Sequence, residues 1–235
     1  QKKAGWDCLR HYEIMANRCI PVFLDIEKCP QNTLALLPKD LLMEANKLYA
    51  RVGKKSIHEI DTTECDALIE KFMTRLMTTE KITKYILSTI NRDQTKKVLF
   101  LSGKTDPDYL RCLTLHGFKT TFGKDCHDFP KVPHIYKDCM TPDDRLYGRG
   151  FTYTKLIDAE LHVPQTTEDI VRNIASRHYD IVVYGSYHRG MPLFDVVKKH
   201  YRDKEIVLLC GEDIHRCNHM IFNSYHTFVR ELTNP

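Results

Sequence analysis

Val98-Leu-Phe-Leu-Ser-Gly-Lys-Thr-Asp-Pro-Asp108 is the stretch whose reading sets the fold class. Val98 to Leu101 form an apolar run of strand length, and Ser102-Gly103 ends it. Pro107 suits the first turn of a helix, expected to reach about Leu115 with Gly117 as its stop. The same grammar returns downstream. Thr166 caps a helix expected through Tyr179, with Ile170, Val171, Ile174 and Ala175 facing inward. Asp180 to Tyr184 is then an apolar strand closed by Gly185, 192–201 a helix, and Glu205 to Cys210 a strand closed by Gly211. Apolar strands bounded by glycine and alternating with helices predict an α/β fold with a mostly parallel, Rossmann-like sheet.

Between these units the pattern weakens. Phe118 to Phe122 reads as a second strand, 123–150 as a long irregular loop with Pro130, Pro133 and Pro142, and His219 to Leu232 as a last helix. Residues 91–97 are polar and read as a linker, which divides the chain into domains 1–95 and 96–235.

Upstream of the linker the chain is mainly helical. In Gly5-Trp-Asp-Cys-Leu-Arg-His-Tyr-Glu-Ile-Met-Ala-Asn-Arg-Cys-Ile-Pro-Val-Phe-Leu-Asp25, Asp7 is placed to cap a helix and Cys19 to Leu24 read as a short strand. At about 100° per residue, Cys8, Leu9, Tyr12, Met15 and Ala16 share one arc, and Arg10, Glu13 and Asn17 share another. An arginine fork and a carboxylate one turn apart, beside a helix N-terminus, can hold a diphosphate and a ribose. The plainer reading is a surface pair worth a few tenths of a kcal/mol. Leu41, Leu42, Ala45, Leu48 and Tyr49 keep helical spacing after Pro38, and 63–77 and 79–90 read as two more helices.

Composition narrows the function classes. The net charge of +4 is mild, with 15 basic and 13 acidic residues in 1–95 and 20 and 18 in the remainder. No basic run is interleaved with aromatics, which argues against nucleic acid as partner. No apolar stretch approaches the ~18 residues of a membrane span, and no secretory signal opens the chain. Nine scattered cysteines without a C-x-x-C pair fit a reducing compartment better than a disulfide framework, so a cytoplasmic location is expected.

Residues 4–50 resemble the donor-binding segment of GT-B glycosyltransferases of the exostosin-like and CgeB-like groups, where Asp-x-x-Arg-x-x-Glu precedes a small-residue turn and Ile-Pro. The resemblance implies that Arg10 contacts the nucleotide diphosphate, Glu13 the ribose, and that Asp7 fixes the helix start. It implies transfer of a sugar from a nucleotide-diphosphate sugar to a glycan or other hydroxyl acceptor, with no metal or other cofactor. Two departures stand: the turn has Arg18 where that family usually has Gly, and the first Glu of its E-x7-E pattern falls at Gly5. Asp128-Phe-Pro-Lys-Val-Pro-His-Ile-Tyr-Lys, Leu146-Tyr-Gly-Arg-Gly-Phe-Thr and Tyr179-Asp-Ile-Val-Val-Tyr-Gly-Ser resemble the N-terminal Rossmann-like domain of related proteins. The order is then reversed, which implies the end of one unit joined to the start of a tandem second unit, or a permutation; the abrupt start at Gln1 favours the first. A non-catalytic protein that keeps the fold, or a flavodoxin-like nucleotide module in the second half, are the rival expectations.

Ligands of open α/β sheets lie beyond the carboxyl ends of the strands. That rule selects the loops 102–108, 185–190 and 211–215, and with them Asp106, His188 and Asp213 as candidate catalytic groups. Each taken alone reads more readily as a cap or a solvated loop residue; as a set they mark a cleft wall without fixing roles. The glycines of G-x-G-x-x-G are missing after Gly103, and Gly148-Arg149-Gly150 follows no strand, so it reads as a turn. Cys210, His215, Cys217 and His219 match no structural zinc spacing, nor do Cys126, His127 and Cys139.

Overall fold

A computed structural model of the chain describes residues 6–150, 152–211 and 223–230. Two compact units are present: one runs to Met77 and takes in Arg230, and the other is Thr78–Val229.

The first unit carries α1 (Leu9–Ala16), α2 (Lys39–Val52) and α3 (Thr63–Arg75). Its core gathers Met15 of α1, Leu41, Leu42, Ala45 and Leu48 of α2, and Leu68 and Phe72 of α3; Tyr12 packs against it, while Cys8 and Ala16 of the arc expected on α1 are exposed. Tyr49 departs from the face expected on α2 and is exposed. Two expectations fail here. The N-cap of α1 is Cys8, with no side-chain cap bond, and Asp7 instead lies near Arg230, Oδ2 to Nε 3.6 Å. Cys19 to Leu24 is not a strand: no ladder partner is present among the described residues, and the Phe23 backbone is met by the Asn46 side chain, which accepts at 3.1 Å and donates back. Arg18 adopts φ +56° all the same. Its N–H donates to the Met15 carbonyl at 2.9 Å and that of Cys19 to Ile14 at 3.1 Å, a Schellman stop made without glycine.

The second unit opens with α4 (Thr79–Thr89), followed by β1 (Val98–Ser102), α5 (Tyr109–Phe122), β2 (Cys126–Phe129), α6 (Thr167–Ala175), β3 (Ile181–Gly185), α7 (Phe194–His200), β4 (Ile206–Cys210) and β5 (His226–Val229). The five strands form one parallel sheet in the order β2-β1-β3-β4-β5. Leu99, Leu101, Val182 and Tyr184 face α6 and α7 through Ile170, Ile174 and Val197, while Phe100 packs on Phe118 of α5 at 5.9 Å. Helices therefore cover both faces of a doubly wound, Rossmann-like sheet, whose three central strands, β1, β3 and β4, are fully buried. The α6 start is a reciprocal capping box between Thr166 and Asp169, and inside it Ile170 and Ile174 are buried while Ala175 is exposed.

Three elements differ from expectation. Gly117 does not stop α5; a Cβ there would sit 2.2 Å from the Thr79 carbonyl oxygen, so this glycine lets α4 cross close, and Gly123, at φ +56°, ends the helix. Residues 118–122, expected as a strand, are thus the last turns of α5. The loop expected over 123–150 begins with β2. The last helix expected over 219–232 is overturned where the chain is described, because His226–Val229 is the fifth strand.

The edge strand β2 is held by a buried ionic cluster. Lys119 Nζ meets Asp128 Oδ1 at 2.8 Å and the Leu161 carbonyl at 2.8 Å, and His162 Nδ1 lies 3.0 Å from the same carboxylate oxygen. Burial pushes the Asp128 carboxyl up, but the His162 hydrogen bond and the Lys119 charge outweigh it and leave it below the usual carboxylate range.

Candidate active site

β1 leads to β2 on one side and β3 lies on the other, so the chain reverses direction across the sheet between β1 and β3. Ligands of open α/β sheets lie beyond the carboxyl ends of the strands at such a switch point. In this chain the loops that leave those ends are 103–108 and 186–190.

Their backbones touch. The Lys104 N–H donates to the Arg189 carbonyl at 3.2 Å, and a Cβ on Gly103 would stand 2.5 Å from that oxygen. Only glycine permits this approach. Asp108 then caps α5, Oδ1 accepting from the Arg111 N–H at 3.2 Å, while its Oδ2 lies 2.7 Å from Nε of Arg189. The cap and the ion pair tie the β1 loop, the start of α5 and the β3 loop into one body.

Arg111 sets the shape from below. Its side chain is fully buried, and the guanidinium donates to the carbonyls of Lys104 and Asp106. A buried charge needs compensation, and here carbonyl dipoles supply it. The buried hydroxyls of Ser102 and Ser186, at the adjacent strand ends, have no hydrogen-bond partner among the described residues. Ser186 takes φ +57°, which turns the chain sharply out of β3 into the 187–189 turn.

Cys112 and His134 form the one contact here with the look of a nucleophile and base, Sγ to Nε2 3.3 Å. Burial pushes the thiol up to about 11, and burial with the Arg111 charge lowers the imidazole. Both shifts favour the neutral pair, the opposite of an activated thiolate. This contact is packing.

Of the sequence candidates, Asp106 and His188 lie on these two loops. Asp106 is exposed, and its carboxylate makes no ion pair among the described residues. His188 is half-buried, its ring edge-on to Tyr187 at 6.1 Å. Asp213 lies outside the described residues, as do His215, Cys217 and His219. In the first unit, Arg10 is exposed on α1, Glu13 is half-buried one turn on, and no ion pair joins them. Among the described residues no group of three or more His, Cys, Asp or Glu is placed to hold a metal. Among the described residues seven cysteines are free thiols and Cys210 is disulfide-bonded.

Sequence reading missed Asp108, Arg111 and Arg189. Asp108 was visible as a cap ahead of an apolar helix, but the pairing of Arg189 with it depends on which strands are neighbours. No protein-family model, curated protein or solved structure matches the chain. No helix among the described residues is long and apolar enough to cross a membrane.

Proposed function

We propose that the chain serves glycosyl transfer from a nucleotide-diphosphate sugar to a hydroxyl acceptor, with the acceptor held at the β1/β3 switch point. The observation that carries this reading is the division of labour between two carboxylates on one loop. Asp108 is buried and engaged by α5 and Arg189, while Asp106, on the same loop, is exposed and makes no ion pair among the described residues. Asp106 is therefore the general base of the proposal. The acceptor oxygen bonds to the anomeric carbon as its proton passes to Asp106. The bond from that carbon to the diphosphate breaks, and its electron pair leaves with the nucleoside diphosphate. A cation beside the departing phosphates stabilises the charge that develops there.

The donor reading of α1 rests on the sequence resemblance and is supported by two features of its geometry. Its N-cap Cys8 makes no side-chain cap bond, and Arg10 stands exposed in the first turn. The left-handed Arg18 also keeps the turn that glycine usually makes in the resembling family.

Nucleoside-diphosphate release by the full chain, measured over a panel of nucleotide sugars with methyl glycoside acceptors, tests the proposal. Asp106→Asn is expected to lower release by roughly 10²–10⁴-fold while leaving nucleotide affinity unchanged. Nucleotide binding by the parent without release under any pairing would instead mark a non-catalytic protein.

The strand order favours one second reading. A sheet ordered 2-1-3-4-5 places nucleotide ligands of flavodoxin-like proteins at this same switch point. On that reading Lys104→Ala weakens nucleotide binding and Arg10→Ala does not; the glycosyltransferase reading predicts the reverse.

A further inference from the structure

Glu205 lies in the turn just before β4 with its side chain 4% exposed, and three arginines are turned toward it. Arg177 Nη2 stands 2.8 Å from its Oε1, Arg202 Nη2 3.1 Å and Arg92 Nη2 3.8 Å from that same oxygen. The three come from separate segments. Arg92 follows α4, Arg177 follows α6 at φ +55°, and Arg202 follows α7. Each precedes a strand of the parallel sheet, so the cluster sits at the end opposite the switch point.

The charges in this cluster do not balance. Three guanidinium groups face one carboxylate, and the other acids of these segments are engaged elsewhere. Asp93 accepts from the Ser88 hydroxyl, and Asp180 Oδ2 accepts from the N–H groups of Lys96 and Lys97 at 2.7 and 2.9 Å. Among the described residues Glu205 is the one carboxylate that pairs with any of the three arginines. The positive field extends to β5, where the Lys204 and Arg92 charges add to burial in lowering the His226 imidazole.

Donors are in surplus as well. Arg177 gives one guanidinium nitrogen to the His200 carbonyl and one to Glu205, and Arg202 gives one to Glu205. Glu205 Oε2 is taken by the Arg202 backbone N–H at 2.8 Å. Arg92, at 3.8 Å, stands beyond hydrogen-bond distance, and its guanidinium makes no hydrogen bond among the described residues although its side chain is only 34% exposed. Like charges gathered around one oxygen repel, and a guanidinium that has lost part of its hydration without a new acceptor is costly to hold. An oxyanion relieves both conditions. Guanidinium forks match its paired oxygens, and the phosphate dianion offsets the surplus charge.

We infer that Arg92, Arg177 and Arg202 form a binding site for a phosphate group, either free phosphate or the terminal group of a phosphomonoester. Glu205 is the internal counter-ion that gathers the arginines, and Arg92 is the one whose donors remain for the ligand. The site stands apart from the proposed transfer chemistry and holds or fails independently of it.

Calorimetric titration of the full chain with sodium phosphate and with methyl phosphate, at an ionic strength matched with chloride, tests it. Phosphate is expected to bind and to raise the melting temperature above that in chloride. Arg92→Gln should weaken phosphate tenfold or more. Arg92→Lys should recover part of that loss, since an ammonium keeps the charge without the fork. Arg92 makes no hydrogen bond to Glu205, so neither variant is expected to melt below the parent in chloride. Methyl phosphate bound as tightly as phosphate assigns the site to a phosphomonoester, and methyl phosphate bound tenfold more weakly assigns it to the free anion. No binding heat and no stabilisation by phosphate beyond that by chloride overturns the inference, because the arginines then serve Glu205 alone. Phosphate affinity left unchanged by Arg92→Gln overturns it too.

Discussion

Arg189 reaches from the turn after β3 to set its Nε 2.7 Å from Oδ2 of Asp108, the residue that caps α5 after β1. The switch point of the sheet is thereby braced by side chains from both strands that define it. Lys104 and the Arg189 carbonyl repeat the link through the backbone.

Separate roles for the two oxygens of Asp108 can be measured. Asp108→Ala removes the cap and leaves a guanidinium without its carboxylate, for an expected loss of about 1–3 kcal/mol in urea denaturation. Asp108→Asn keeps a capping oxygen and gives up only the charge, so it should recover about 1 kcal/mol of that. Equal losses from Ala and Asn would show that the cap contributes nothing.

The α4–α5 crossing depends on one missing methyl group. Gly117→Ala adds intrinsic helix propensity of about 1 kcal/mol, which would stabilise an unconstrained helix. Here the new Cβ would lie 2.2 Å from the Thr79 carbonyl oxygen and 2.6 Å from Thr83 Oγ1. Overpacking of this kind costs roughly 1–3 kcal/mol, so the variant is expected to melt lower than the parent. A higher melting temperature would mean that the two helices do not cross at this residue.

Glu205 gives the fold an acid limit. Buried in the turn just before β4, it accepts from the Arg202 N–H at 2.8 Å and pairs with Arg177 at 2.8 Å and Arg202 at 3.1 Å. Burial pushes its carboxyl up, yet these donors outweigh burial and bring it from 4.5 down to about 2. Between those values the unfolded chain binds more protons than the folded one, so stability rises with pH across the window. The contribution is complete above about pH 4.5 and is lost as pH falls toward 2. Denaturant titrations at pH 3 and pH 6 should show a smaller difference for Glu205→Gln than for the parent. An unchanged difference would remove Glu205 from the acid response.

How far the fold could be read in advance follows from where its polar residues lie. β1, β3 and β4 are buried on both faces and are written as plain apolar runs, and α6 announces itself through Thr166 and Asp169. β2 was hidden because half of Cys126-His-Asp-Phe is polar. Asp128 is buried there only because Lys119 and His162 meet it, and those partners lie in other segments. Gly117 misled for a related reason, since a glycine that serves a helix crossing reads locally as a helix stop. Cys19 to Leu24 has strand composition but no neighbouring strand among the described residues, and Asn46 takes over at Phe23. The strand-end loops were legible from the rule for open sheets. The bracing of Asp108 by Arg189 and the gathering of three arginines at Glu205 were not, because each joins residues from separate segments of the chain.

On the proposed reading the α1 helix grips a nucleotide diphosphate, and calorimetric titration of the full chain with UDP- and GDP-sugars is the sharpest check. Arg10→Ala is expected to weaken binding by about 1.5–3 kcal/mol, the scale of a charge-assisted hydrogen bond. Arg10→Lys should recover only part, since an ammonium lacks the planar fork. Glu13→Gln should impair nucleotide-sugar binding and leave pyrophosphate affinity nearly unchanged. If Arg10→Ala binds the nucleotide sugar as tightly as the parent, the donor assignment of α1 is wrong.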